Sequence, residues 1–321
     1  MLKTLFLAGM LSLTMLAMPA MAQETRSFTD DLGRIVEIPV HPQRIASLHA
    51  LTFTIPLLEL GVIPVGSQGD TGDDSEPHIR SGMTIAGTDF DNSDIAYLGP
   101  NLPPDFEAIA AVRPDLIIAF QNQESVVDQL ELIAPTIVLS NQTGYEVYDI
   151  LADITGTQDR LATLKARYES QVAQIRRIID TGTVTVNHLA PGDGALSVWE
   201  TYFNLGKVLR DAGFDFPAAV DAMEPNSYVA FSPETLPELD ADILFVTYRT
   251  DQLETPAIAK AAFESVVPGF CAHLHACRNG QLIYIPREEV TAKSYDALSM
   301  LAYAVLTHIS GRDIVRMENP Q

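Results

Sequence analysis

Two carboxylates in this sequence sit in repeated surroundings. Glu107, in LGPNLPPDFEAIAAVRPDLIIAF (98–120), and Glu234, in PETLPELDADILFV (233–246), hold the same relative place. Ile109, Val112, Asp115 and Leu116 of the first stretch answer to Leu236, Leu239, Asp242 and Ile243 of the second. In each copy the acid falls in the first turn of a short amphipathic helix opened by prolines, where the positive end of the helix dipole favours it. Chemistry alone makes each a solvated cap.

Cys271 and Cys277 enclose His273 and His275 in FCAHLHACRNG. In an oxidising compartment so close a pair favours a disulfide closing a small loop. A Cys/His metal site is the alternative, although C-x5-C around H-x-H is not an established zinc spacing and strand-like alternation would decide where the histidines point. Asp70, Asp73 and Asp74 do not have the spacing of a calcium loop, and no Glu closes one, so they read as a solvated acidic loop. G-x-S-x-G, S-x-x-K, H-E-x-x-H and G-x-x-x-x-G-K are all missing, so no catalytic residue is assigned and the chain reads as a non-enzyme. An exported metal-dependent enzyme using scattered Asp and His is kept as a rival.

The elements that must carry these residues alternate between strand and helix. Each copy of the repeated stretch ends in a continuous apolar run, too short for a helix and suited to a buried parallel strand. Around the first copy lie a hairpin at 28–39, a strand RIASL ending at His49, a helix 51–60 stopped by Gly61, a strand 62–66, a long surface loop 66–94, a helix 126–133 and a strand 136–139. Leu161, Leu164, Tyr168, Val172, Ile175 and Ile179 then recur at helical spacing, predicting one long amphipathic helix over 148–180, a stiff strut between two α/β halves. The second half has a strand 184–187, a loop LAPGDGALSVW, a helix 204–211 ending at Gly213, an extended segment 228–231 and a strand 243–247 running into Tyr248-Arg249. It closes with a turn at Asn279-Gly280, a strand 281–285, a loop 286–294 and a helix 296–310.

The chain has 321 residues and a formal charge of −22, from 42 acidic and 20 basic residues. That balance argues against a nucleic-acid surface and would repel an anionic ligand unless local cations intervene. Lys3, an apolar run from Leu5 to Ala17, Pro19 and Ala20-Met21-Ala22 form an export signal with cleavage expected after Ala22. No later apolar stretch reaches the roughly 18 residues of a membrane span, so membrane insertion is not expected.

RIASLHALTFTIPLLELGVIPVGS, PPDFEAIAAVRPDLIIAF, the long helix, FSPETLPELDADILFV and RNGQLIYI, in that order, resemble the periplasmic iron-siderophore binding proteins of ABC importers, a group that extends to cobalamin and haem binders. The resemblance covers nearly the whole chain after the leader. It implies an α/β fold of two Rossmann-like lobes, 23–147 and 182–321, joined by one helix at 148–181, with a ligand held between them and little closure. The implied protein is a periplasmic monomer without a resident cofactor or metal. It carries an Fe(III)–siderophore complex to a permease and its ATPase subunits, and Glu107 and Glu234 match the glutamates that dock on permease arginines. Loops at the carboxyl ends of parallel strands then nominate His49, Gln121, Trp199, Tyr228, Tyr248, Arg249, Lys293 and Tyr295 as ligand contacts. Arg249 resembles the ligand-binding Arg of catecholate-type relatives, but Phe120-Gln121-Asn122 stands where those relatives carry another Arg. Ferric citrate and other carboxylate or hydroxamate chelates are therefore left as ligand classes, with a cobalamin or haem binder as the alternative.

Overall fold

Apolar runs such as Leu116–Phe120, Thr136–Leu139 and Ile243–Tyr248 become strands of two parallel sheets, because a strand buried on both faces can hide such a run. The computed structural model describes residues 24–71 and 76–317; the expected leader with its expected cleavage after Ala22, and Asp73 and Asp74, lie outside the described residues. Strands β1 (Thr25–Thr29) and β2 (Ile35–Pro39) form the expected antiparallel hairpin. Strands β3 (Ile45–Ser47), β4 (Gly66–Ser67), β5 (Ala96–Tyr97), β6 (Leu116–Phe120) and β7 (Thr136–Leu139) follow, building a parallel sheet in the order β5-β4-β3-β6-β7.

The second lobe adds β8 (Val186–His188), β9 (Ala190–Gly192), β10 (Ala195–Trp199), β11 (Tyr228–Phe231), β12 (Ile243–Tyr248) and β13 (Leu282–Pro286). Its parallel sheet has the order β13-β12-β8, and a separate antiparallel sheet has the order β11-β10-β9. The stretch expected as a loop, LAPGDGALSVW, is thus largely a hairpin. Asp193 and Gly194 both take positive φ, 51° and 74°, which is the two-residue turn whose twist matches paired strands.

The repeated stretches do the same work in both lobes. The Asp115 carboxylate accepts from the backbone N–H groups of Gln43 (2.7 Å) and Arg44 (2.9 Å), just before β3. Asp242 accepts from the N–H of Thr185 (2.9 Å), just before β8. Each Asp therefore clamps the entry of the neighbouring parallel strand. The preceding helices differ: Phe106–Ala111 is an α-helix capped by Asp105, whereas Pro233–Leu239 is a 3-10 helix containing Pro237, which has no N–H to continue an α-ladder.

The single helix expected over 148–180 is two. Val147–Thr155 ends at Gly156, in the left-handed region at φ 71°, and Gln158–Ile178 begins two residues later. A left-handed glycine closes a helix by satisfying its last carbonyls, here through a bond from Gly156 N–H to the Ala152 oxygen. The strut proper therefore has 21 residues, about 32 Å of helix. Its buried face is Leu161, Leu164, Tyr168, Val172 and Ile175, as the spacing predicts.

Two further segments differ from expectation. The 66–94 loop contains the helix Gly82–Ala86 and buries Ile79 and Ile85, so it packs down instead of lying in solvent. The segment around the cysteines is not strand-like but two short helices, Phe270–His273 and His275–Arg278.

One apolar cluster runs through both lobes. It includes Ile45, Phe53 and Ile118 of the first, Tyr148, Leu164 and Tyr168 of the connecting helices, and Leu205, Phe245, Tyr295 and Leu298 of the second. Lobes that share an interior should unfold together. Leu164→Ala is expected to lower stability by about 3 kcal/mol. In urea the transition reported by the fluorescence of the sole tryptophan, Trp199, should coincide with that reported by far-ultraviolet circular dichroism.

Candidate ligand-binding cleft

The carboxyl ends of both parallel sheets meet where the loop after β13 reaches the first lobe. The Lys293 N–H donates to the Leu51 carbonyl (3.1 Å), and the Ser81 hydroxyl donates to the Glu288 carbonyl (3.3 Å). Polar side chains anchor the loops here. Gln123, fully buried, accepts from the Phe120 N–H (2.8 Å) and donates to the carbonyls of Leu48 (3.1 Å) and Asn101 (3.0 Å). The Gln68 side-chain oxygen accepts from the Ala50 N–H (3.0 Å).

His49 leaves β3 and caps the helical segment Ala50–Thr54, its Nδ1 accepting from the Thr52 N–H at 3.1 Å. Its ring stacks on Phe120 with centroids 4.2 Å apart. Burial, then the positive charges of Lys293 and Arg80, push its pKa down to about 4, so the imidazole is neutral at pH 7 and Nε2 is its remaining polar atom. Lys293 is itself held down to about 8, chiefly by burial, against the opposing pull of Glu146 and Asp31. Gln121 is exposed at the end of β6, beside a depression of about 490 Å³ that Asp31, Asn122 and Ser140 also line.

On the second lobe, a pocket of about 210 Å³ is lined by Trp199, Tyr202, Thr247, Arg249, Ile258 and Arg287, among others. Trp199 and Tyr228 are paired across β10 and β11, with ring centroids 4.8 Å apart, and Tyr228 is 53% exposed. Tyr202 stacks on buried His188 at 3.4 Å, and its hydroxyl lies 3.1 Å from the Thr247 hydroxyl. Burial, with Arg287 adding to it, keeps His188 well below its ordinary pKa and therefore neutral.

Arg287 and Arg80 were not nominated from the sequence. Arg287 follows β13 directly and its N–H donates to the Tyr248 carbonyl (2.9 Å), so the ends of β12 and β13 bring Arg249 and Arg287 to one pocket. Its Nε has no hydrogen-bond partner among the described residues. The strand-end rule that picked Tyr248-Arg249 applies equally to YIPR and could have found it. Arg80 lay hidden in a segment read as a solvated loop, where only the packing of Ile79 reveals its position.

Two nominations land elsewhere. Tyr295 is buried, with its ring edge-on to Tyr145 (5.3 Å) and Tyr148 (4.9 Å), so it belongs to the shared core and presents no face to a ligand. Its position at the head of a helix is compatible with a strand-end loop in sequence, and only packing shows which way the ring turns. Tyr248 is half-buried and packs against the second-lobe core.

Glu107 and Glu234 are both exposed in first turns, and Glu234 accepts from the Ser232 hydroxyl. Cys271 and Cys277 form a disulfide with Cα atoms 5.0 Å apart. Both sulfurs are thereby used, and His275 spends its Nε2 on the Val315 carbonyl (2.8 Å), which removes the donors of a Cys/His metal site.

Several proteins share this architecture. The chain is 28% identical over 241 residues to the probable siderophore-binding lipoprotein YfiY of Bacillus subtilis, covering 72% of this chain and 71% of that protein. It is 25% identical over 285 residues to the Fe(3+)-citrate-binding protein YfmC of the same organism, covering 84% and 81%. The crystal structure of Staphylococcus aureus SirA complexed with staphyloferrin B superposes with a TM-score of 0.71 at 21% identity, covering 89% of this chain and 98% of that one. Among the described residues no helix is long and apolar enough to cross a membrane. With two lobes built on parallel sheets, and a match to the family's sequence pattern over residues 83–289, the chain belongs to the periplasmic binding protein family.

Proposed function

We propose that the protein captures an anionic Fe(III)–siderophore chelate between its lobes and delivers it, as an exported periplasmic monomer, to the permease of an ABC importer. The observation that carries this reading is that, in a protein with net charge −22, Arg249 and Arg287 line one second-lobe pocket with Trp199, while Lys293 and Arg80 lie near enough to His49 for their charges to lower its pKa. Guanidinium groups pair bidentately with carboxylate or catecholate oxygen, while Trp199 and Tyr228 offer faces to the organic shell. YfiY and YfmC, named for siderophore and ferric citrate binding, support the same ligand class.

Quenching of Trp199 fluorescence, measured across ferric citrate, ferric hydroxamates, haem and cobalamin, tests the proposal. Saturable quenching by a ferric chelate and none by haem or cobalamin is the expected result; turnover without saturable binding would support the enzyme rival. Arg249→Ala and Arg287→Ala should each weaken chelate binding by roughly 10- to 100-fold, the range of a hydrogen bond to a charged group.

Lys293 adds a pH signature. Its ammonium is charged below about pH 8, and an anionic ligand favours the charged form. Affinity is therefore full below that pH and falls as pH rises through it, and the difference between wild type and Lys293→Met should shrink from pH 7 to pH 9. A constant difference would mean that the ammonium does not face the ligand.

Glu107 and Glu234 are assigned to docking, where charge-assisted pairing with permease arginines would set the register. Replacing both with Ala should leave the Kd for the chelate unchanged and abolish uptake in cells. Uptake at the wild-type rate would refute the assignment.

A further inference from the structure

Glu59 ends the helix Ile55–Glu59 in the first lobe and is 4% exposed, yet its carboxylate is saturated by donors from two other parts of the chain. One oxygen accepts from the Tyr148 hydroxyl of the connecting helix and from the Tyr295 N–H (2.9 Å). The other accepts from the Ser294 hydroxyl and the Asp296 N–H (2.9 Å). Ser294, Tyr295 and Asp296 begin the second-lobe helix Tyr295–Ile309, and the Ser294 Oγ also accepts from the Ala297 N–H at 2.9 Å. A first-lobe carboxylate thus caps a second-lobe helix, at the end where the dipole favours negative charge. Arg160 of the strut closes the junction by donating from Nε to the Glu59 carbonyl (2.9 Å).

Both arms of this junction lead to the cleft. The helical run that ends at Glu59 begins with its cap at His49, and the helix that Glu59 caps is preceded by Lys293. The Tyr148 hydroxyl lies 3.2 Å from the Lys293 carbonyl, so the same tyrosine touches carboxylate and loop. We propose that Glu59 is an interlobe pin, a positioning residue that holds His49 and Lys293, and with them the two walls of the cleft, at the separation the ligand requires.

Replacing Glu59 by Gln keeps the volume but, in either amide orientation, turns the NH2 toward one backbone N–H, of Tyr295 or Asp296, which cannot reverse its polarity as the neighbouring hydroxyl can. The folded protein would then sample more than one lobe arrangement. If the binding-competent one fell to about a tenth of the population, apparent affinity would fall about tenfold.

The test measures lobe separation directly. Spin labels on Leu132→Cys and Lys260→Cys, one exposed site in each lobe, give an interlobe distance distribution by pulsed electron resonance. Cys271 and Cys277 are bonded to each other and leave the new thiols to be labelled. Wild type should show one narrow distance, and Glu59→Gln a broadened or second distance while near-ultraviolet circular dichroism stays native. Tyr148→Phe, which deletes one donor without a change of shape, should show a smaller broadening and carries the test if Glu59→Gln does not fold. Ile109→Ala, which weakens a first-lobe cluster separate from the shared interior and lies on neither labelled helix, should keep the wild-type distance, separating lost stability from lost positioning. Ferric citrate titration of the same variants should show about tenfold weaker binding for Glu59→Gln. Only this arm rests on the ligand reading above: a broadened distance in a protein whose wild type ignores ferric chelates would uphold the pin and sink the ligand class. Wild-type distances in both Glu59→Gln and Tyr148→Phe would overturn the pin.

Discussion

The lobes of this protein share one apolar interior, and the cleft inherits its shape from that continuity. Phe53 and Ile118 on one side, Phe245 and Leu298 on the other, and Leu164 and Tyr168 between them belong to a single packed cluster. Prying the lobes apart would wet that interior. Exposing even 200 Å² of it would cost about 5 kcal/mol, more than most ligand contacts return. The polar seam of Glu59, Tyr148 and Ser294 lies inside this core, where donors and acceptors left without partners are expensive. Interior packing and seam therefore act in the same direction, toward one fixed angle between the lobes and a cleft formed before the ligand arrives.

Electrostatics in the cleft run against those of the molecule. A net charge of −22 opposes an anionic chelate at long range, but charges further than about 8 Å through physiological salt are screened. At contact, one unit pair is worth up to about 4 kcal/mol near a protein surface. A cation in contact with such a ligand therefore outweighs many distant carboxylates. Burial above all lowers the pKa values of His49 and Lys293; the charges of Lys293 and Arg80 add to it at His49, while Glu146 and Asp31 oppose it at Lys293.

Much of the scaffold was legible because its causes are local. Apolar runs mark strands such as Leu116–Phe120 and Ile243–Tyr248, three- and four-residue spacing marks the buried face of the strut, and the repeat puts Asp115 and Asp242 in equivalent positions, although only the fold shows each clamping a neighbouring strand. Two local signals also carry more structure than the hydrophobic pattern around them. Asp193-Gly194 makes a hairpin turn within LAPGDGALSVW, and Gly156 closes a helix although the apolar spacing continues past it. Arg287 follows the end of β13 as Arg249 follows the end of β12, a shared position that is itself local.

Other features had no local signal. Nothing in the residues around Tyr295 tells that its ring packs on Tyr145 and Tyr148, nor that Glu59 caps a helix more than two hundred residues away. Arg80 sits among acidic neighbours in sequence, yet next to buried Ile79 it comes near enough to His49 for its charge to lower the imidazole pKa. By itself the sequence determined the alternation of strands and helices, the duplicated halves and the acidic surface, all set by near-neighbour pattern and composition. Tertiary structure alone decided which side chains face the cleft and what holds its walls apart, because burial and hydrogen-bond partnership are properties of segments distant in the chain that meet only after folding.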